Sequence, residues 1–392
     1  MIYKVQTLNN ISVTGLKRLP REKYEIASEI THPDAILLRS YKMHEMTIPD
    51  TVKCIGRAGT GTNNIPVEQM TAKGIPVFNA PGANANAVKE LVIAGMLMSI
   101  RHLGNAWQFA QSLEGDDAEI TKQVEAGKKN FAGFELPQRT IGIIGLGAIG
   151  VRLANACLSL GMKVIGFDPT LTVHNALQLD ARVEQALSVD DLVSKAHFIS
   201  FHVPLNNGTK NMINEDRIAL MPKDTVLLNF ARQGIIDDEA VVKALDSGNL
   251  HGYVCDFPSN LLKNHPKCIT LPHLGASTVE AEDNCAIMVA DEIKGWLEHG
   301  QVKNSVNFPE INLPRGGGIR IVVVHENTPN MIGQVSTCLA DTGFNIIDLL
   351  SKCRDQIGVT LVDVENGNEA EALAKIEEIN GILSVNCLGC GS

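Results

Sequence analysis

The 392-residue sequence contains no long apolar run: its longest nearly apolar stretch, Leu91 to Ile100, falls far short of the roughly 20 residues a membrane span needs. It has no excess of positive charge either. A formal net charge of −10 weighs against nucleic acid as the main partner, and it leaves any anionic substrate dependent on a local cluster of arginines. The opening MIYKVQTLNN lacks the basic region and apolar core of a signal peptide, so a cytoplasmic protein is expected. No disulfide framework is evident. The nine cysteines are odd in number and scattered through apolar contexts such as Cys157, Cys255 and Cys338, which suits reduced core thiols. Cys387 and Cys390 form a CxxC without a second ligand pair, and no metal is expected.

What is present points to a globular α/β protein. Hydrophobic residues make up 44% of the chain and charged ones 20%, enough core for two or three domains of about 100–200 residues each. The most informative stretch runs from Thr140 to Asp168. Ile141 to Ile144 is a short β-branched run, Gly145, Gly147 and Gly150 punctuate a turn, and Leu153, Ala154 and Leu158 fall on one helical face. Lys163 to Phe167 reads as a second strand, and Asp168 ends it. In such a βαβ unit the first glycine permits the tight turn, the second admits a pyrophosphate and the third lets helix and strand pack closely. The helix N-terminus offers N–H groups to phosphate. Asp168 is placed to accept both ribose hydroxyls and to repel a 2′-phosphate, so NAD is expected rather than NADP.

Ahead of this unit, Ala35 to Arg39, Cys54 to Gly56 and Pro76 to Phe78 read as buried parallel strands. The glycine-rich segment GRAGTGTNN, Gly56 to Asn64, exposes backbone N–H groups beside Arg57, and Arg39 and Ser40 end the neighbouring strand. Together they suit a carboxylate or phosphate. Ala85 to Arg101 is a helix apolar on nearly every side, hence buried, and Gly104 to Asn130 reads as surface helix. Downstream, strands are expected at His197 to His202, Thr225 to Asn229, His251 to Asp256 and Cys268 to Leu271. In a doubly wound sheet their carboxyl ends converge on the bound cofactor, which puts Arg232 and His273 at the reactive end. A helix from about Ser277 to His299 follows, then a closing strand in Asn304 to Leu313 and a flexible joint at Pro314 to Gly318. From Ile319 onward the order strand, helix, strand, strand, helix, strand is that of a ferredoxin-like domain, whose best candidate site is the turn His325 to Pro329.

The motifs GRAGTGTNN, GLGAIG with Asp168, NFARQGIID, PHLGAST and HEN together resemble the D-isomer-specific 2-hydroxyacid dehydrogenases. The likeness is greatest to the short phosphoglycerate dehydrogenase branch, in which an ACT domain follows the catalytic core. The resemblance implies a Rossmann-type doubly wound nucleotide domain, a flavodoxin-like substrate domain and a C-terminal ferredoxin-like ACT domain. The expected boundaries are 1–84 with 283–310 for substrate, 85–282 for NAD, 311–318 for a linker and 319–392 for the regulatory domain.

By the same resemblance Arg232 binds the substrate carboxylate, His273 is the acid/base, and Asp256 belongs both to the catalytic set, as a candidate support for His273, and to the cofactor contacts near the nicotinamide amide. Arg39, Ser40, Arg57, Gly59, Thr60 and Gly61 grip 3-phosphoglycerate, with Lys263 as a further phosphate ligand. Cofactor contacts are implied for Ala80, Gly145, Gly147, Ala148, Ile149, Gly150, Asp168, His202, Val203, Pro204, Phe230, Ala231, Arg232, Asp256, His273, Gly275 and Ala276. The family's acid that pairs with the histidine is missing, since Asn260 stands about where it belongs. His325, Asn327 and Asn345 suggest L-serine as an effector held across two chains, and a homodimer or homotetramer is implied. The rival readings are another D-2-hydroxyacid dehydrogenase, or an NAD(H)-sensing binding protein. The latter would be expected to present a partner-binding cleft and a low-complexity tail, and the chain has no such tail.

Overall fold

The computed structural model describes residues 2–365 and 367–389. The chain forms two compact units, Met1–Ala83 with Val279–Ser392 and Asn84–Thr278.

In the first unit, β1 (Tyr3–Leu8), β2 (Tyr24–Ala27), β3 (Ala35–Leu38), β4 (Cys54–Arg57) and β5 (Val77–Asn79) make a parallel sheet in the order β2-β1-β3-β4-β5. That order is flavodoxin-like. One face of β3 to β5 packs Ile36, Leu38, Ile55 and Val77 against Met43, Ile48 and Met70. The other packs Leu37, Cys54 and Phe78 against Val289, Ile293 and Trp296 of the long helix Val279–His299. Alternate residues of fully buried strands thus feed two cores, which is why these strands read as continuous apolar runs.

The second unit holds β6 (Thr140–Ile144), β7 (Lys163–Phe167), β8 (Glu184–Gln185), β9 (Phe198–Phe201), β10 (Thr225–Asn229), β11 (Leu250–Cys255) and β12 (Cys268–Thr270). All pair in parallel, in the order β12-β11-β10-β9-β6-β7-β8. The chain order reverses between β6 and β9, so a crevice opens at their carboxyl ends. The helix Ala85–Ile100 packs Val88, Val92 and Met96 onto Ile143, Leu228 and Val254, and so is buried within this unit. The expected single surface helix after it is two, Leu103–Gln111 and Asp117–Gly127. Asp116 starts the second with a capping box: its carboxylate accepts from Ala118 N and Glu119 N while Glu119 reaches back to Asp116 N.

At the C-terminus β13 (Ile319–Glu326), β14 (Asn345–Arg354), β15 (Ile357–Glu365) and β16 (Ile382–Leu388) form an antiparallel sheet in the order β14-β15-β13-β16. Two helices, Met331–Asp341 and Glu369–Glu377, cover one face through Val335, Leu339, Ala372 and Ile376. This is the ferredoxin-like arrangement. The opposite face is not bare: Val322, Val324, Val359 and Leu361 join the core of Trp296, Val302, Phe308 and Leu313.

Two expectations at this junction fail. Residues 304–313 form no strand, only isolated bridges between Phe78 and Ser305 and between Val302 and Ile311. Pro309 interrupts the segment and has no N–H to donate to a ladder. The segment Pro314 to Gly318 is no free joint either. Gly316 N donates to Asp363 Oδ2 at 3.0 Å, and the carbonyls of Leu313 and Pro314 accept from Arg320 at 2.7 and 3.1 Å. Cys54, Cys157, Cys255, Cys268, Cys285, Cys338 and Cys353 are free thiols, whereas Cys387 is disulfide-bonded, contrary to the expectation of reduced thiols throughout. Cys390 lies outside the described residues. No helix among the described residues is long and apolar enough to cross a membrane.

Candidate active site

The crevice of the nucleotide unit begins at the turn after β6. Gly147 caps the helix Ala148–Ser159 without any side-chain capping bond, so the first N–H groups face outward. A Cβ on Gly147 would meet nothing within 4 Å, which leaves open space where a pyrophosphate would sit. Gly150 is required by close approach: a Cβ there would lie 2.0 Å from the Gly145 carbonyl oxygen. Ala148 and Ile149 open the helix beside this space. The residues present therefore fit a dinucleotide.

Asp168, just beyond β7, is already engaged. Its Oδ2 accepts from Leu146 N at 2.8 Å, and Oδ1 accepts from Thr170 N and Oγ1 at 2.8 and 2.9 Å. A carboxylate offers about four lone-pair sites. One on Oδ2 remains open for a ribose hydroxyl.

Three further strand ends complete the crevice. After β9, His202 bonds Ser200 Oγ through Nε2 at 2.9 Å, and burial pushes its imidazole down to about 4, so it is neutral near pH 7. Val203 and Pro204 follow it. After β10, Asn229 fastens the next turn: its Nδ2 donates to Arg232 O at 2.9 Å and its Oδ1 accepts from Ala231 N at 3.2 Å. Phe230 sinks into the core, and Arg232 is left exposed with no carboxylate partner among the described residues. Its Nη1 donates only to the Ala231 carbonyl, at 2.7 Å.

After β11, Asp256 is 1% exposed, and its oxygens accept from Leu274 N and Gly275 N at 2.8 and 2.9 Å. It therefore holds the turn that carries His273. His273 has φ +57, a left-handed conformation that histidine tolerates better than most residues, and its exposed ring meets Phe257 edge-on at 5.4 Å. Ala276 continues the turn. No ion pair joins His273 to a carboxylate among the described residues, and Asn260 and Lys263 are exposed in the preceding loop.

The first unit gathers a second set. Arg39 and Arg57 end or follow adjacent strands, where Leu38 pairs with Arg57. Arg39 Nη1 lies 2.7 Å from Glu282 Oε1 on the long helix, and Asn64 Nδ2 ties down the Arg39 carbonyl at 3.1 Å. Ser40 is exposed beside it. Gly59 favours glycine: its φ is +153, and a Cβ would lie 1.7 Å from Arg57 Nη1 and displace that guanidinium. Thr60 and Gly61 follow in the same loop. Asn79 Nδ2 donates to Thr60 O at 2.6 Å, and Ala80 N to Gly59 O at 2.9 Å. Ala80, expected among the cofactor contacts, thus serves this loop and lies 0% exposed.

The third group is not assembled. His325 is 2% exposed, with Nδ1 at 2.8 Å from the Glu326 carbonyl and Nε2 at 3.0 Å from Thr360 Oγ1. Both ring nitrogens thus have partners within the domain. Asn327 donates to the Asp355 carbonyl at 3.1 Å and lines a cavity of about 600 Å³ with Thr328, Gln356, Glu68 and Thr71. Asn345 sits at the other end of the sheet, since it pairs with Glu365 on β15 while His325 pairs with Gly358. Sequence reasoning overlooked Glu282, Asn229 and Glu292. The first two carry no motif of their own, but Glu292 falls in the apolar stripe of a helix, and a charged residue there is a legible signal.

Comparison with known proteins matches residues 93–275 to the family described as D-isomer specific 2-hydroxyacid dehydrogenase, NAD binding domain. D-3-phosphoglycerate dehydrogenase of Haemophilus influenzae is 33% identical over 340 residues, covering 84% of this chain and 79% of its own. The protein of the same name from Methanocaldococcus jannaschii is 34% identical over 337 residues, 84% of this chain and 61% of its own. Among solved structures, NAD+-bound 3-phosphoglycerate dehydrogenase of Entamoeba histolytica aligns with a TM-score of 0.60 and 26% identity, over 78% of this chain and 99% of that one.

Proposed function

We infer the chemistry from one premise: this chain belongs to the D-isomer specific 2-hydroxyacid dehydrogenase family, since relatives 33% identical align with 84% of it or more. It is an NAD-dependent oxidoreductase. Within that family we propose that it oxidises 3-phospho-D-glycerate to 3-phosphohydroxypyruvate, the reaction that opens serine synthesis. The observation that carries the reading is the pair of arginines, Arg39 and Arg57, gathered with the Gly59 to Gly61 loop at the end of adjacent strands. A substrate with a second anionic group needs such a cluster in a chain of net charge −10.

In this reading bound NAD supplies the hydride acceptor. Arg232, exposed and free of carboxylate partners among the described residues, binds the substrate carboxylate and polarises the C2 oxygen. His273 takes the hydroxyl proton on a ring nitrogen and returns it in the reverse direction. Asp256 orients that histidine through the backbone of Leu274 and Gly275. Asp168 and the uncapped helix start hold the dinucleotide.

For the C-terminal domain we propose L-serine as inhibitor, held by Asn327 of one chain and Asn345 of another. Their placement at opposite ends of one sheet favours a site shared between two copies, in a homodimer or homotetramer, over one within a single chain. The experiment is NADH oxidation with 3-phosphohydroxypyruvate, pyruvate and 2-oxoglutarate, each with and without L-serine. A strong preference for the phosphorylated oxoacid is expected, with inhibition by millimolar serine. Equal rates on all three oxoacids would make it another D-2-hydroxyacid dehydrogenase, and unchanged initial rates with serine would remove the effector.

A further inference from the structure

Glu292 sits in the buried stripe of the long helix, one turn from Val289 and Trp296, and is 5% exposed. Its Oε1 accepts from Asn304 Nδ2 at 2.6 Å, while Oε2 is buried with no hydrogen-bond partner among the described residues. A leucine would fill this position without the cost of desolvating a carboxyl. What the carboxyl provides is an acceptor for Asn304, and Asn304 leads onward. It holds a left-handed backbone, φ +54, and its carbonyl accepts from Asn79 N at 3.3 Å. The Asn79 side chain then donates to the Thr60 carbonyl at 2.6 Å, and Thr60 Oγ1 donates to the Ala80 carbonyl at 3.3 Å. An unbroken path of hydrogen bonds and short backbone links thus joins the helix to the loop beneath Arg57.

We propose that Glu292 is a positioning residue for the substrate, setting the Gly59 to Gly61 loop through Asn304 and Asn79. The inference rests on the reading of that loop and Arg57 as the grip on the distal anion. Burial pushes the Glu292 carboxyl up to about 8, against the pull of Asn304 and Lys303 and with the help of Asp291. It therefore acts at neutral pH as an uncharged acceptor, a role that glutamine reproduces and leucine does not.

The test is steady-state kinetics of NADH oxidation by Glu292→Gln, Glu292→Leu, Asn79→Ala and, as a control on the grip itself, Arg57→Gln. Glu292→Leu and Asn79→Ala should raise KM for 3-phosphohydroxypyruvate about five- to tenfold, the worth of one hydrogen bond. Their kcat and KM for NADH should stay within about twofold, since uniform binding alone is lost. Glu292→Gln should match the parent. An unchanged substrate KM in Glu292→Leu, or equal losses in the NADH and substrate terms, overturns the proposal. If that variant fails to fold, Asn79→Ala decides by the same readout. Should Arg57→Gln leave the substrate KM untouched, the grip reading itself falls. Should it raise KM while Glu292→Leu and Asn79→Ala do not, the proposal alone falls.

Discussion

Two buried ionisable groups in the same unit are treated in opposite ways. Arg320 and Asp363, paired across β13 and β15, are both 0% exposed, and every donor of the guanidinium is used. Nε and Nη2 donate to the two Asp363 oxygens at 2.7 Å, Nη1 to the His299 and Leu313 carbonyls at 3.1 and 2.7 Å, and Nη2 also to Pro314 O at 3.1 Å. Among the described residues Glu292 has one hydrogen bond and one oxygen without a partner. A fully satisfied buried charge fixes how elements meet. Here it clamps the sheet of the C-terminal domain to the end of the long helix and to the chain that follows it. A buried carboxyl with one oxygen unpaired, even uncharged, costs stability, and its retention calls for a reason outside architecture.

The comparison breaks most sharply at the clamp. Arg320→Met leaves Asp363 buried and unpaired, and should destabilise the fold by about 3–5 kcal/mol in denaturant titration. Arg320→Met with Asp363→Leu should recover most of that loss, because both charges are then gone. A single variant that melts like the parent would show that the pair contributes nothing to cohesion.

Glu292 should behave in the reverse sense, and pH exposes it. Unfolded, its carboxyl loses its proton near the ordinary 4.5; folded, near about 8. Between those values the folded state binds more protons, so the stability it contributes is complete below pH 4.5 and is lost as pH rises to about 8. Glu292→Gln has no proton to lose. Its unfolding free energy, read by denaturant titration, should therefore gain on the parent from pH 5 to pH 8, by at most a few kcal/mol at about 1.36 kcal/mol per pKa unit. A gap that stays flat across that range would place the titration elsewhere.

Much of this was legible because some positions admit few residue types. The stretch from Thr140 to Asp168 folds as read, since Gly145 takes a positive φ and Gly150 lies too close to the Gly145 carbonyl for any side chain. Ala35–Leu38, Phe198–Phe201 and Thr225–Asn229 are buried on both faces, and so announce themselves as apolar runs. β1 and β2 do not. Tyr3–Leu8 and Tyr24–Ala27 mix polar and apolar residues toward one edge of the sheet, and the sequence reading passed over them. Pro314 to Gly318 reads as flexible from its glycines, but what pins it are Asp363 and Arg320, one of them far along the chain. Glu292 was passed over because a helical stripe is read by its apolar members.

Asp256 lies between the two extremes and gives the smallest of these effects. It is as buried as the clamp and both oxygens are used, yet its partners are the N–H groups of a turn rather than a charge. Asp256→Asn puts an amide donor against one of those N–H groups and frees part of the turn that carries the left-handed His273. If the carboxylate serves catalysis by placing the histidine, kcat should fall roughly 10- to 100-fold, about 1.4–2.7 kcal/mol, with NADH affinity by fluorescence titration nearly unchanged. An equal loss of NADH binding would assign Asp256 to the cofactor, one of the two roles read from the sequence. Unchanged kcat would leave it, like Arg320, a part of the scaffold.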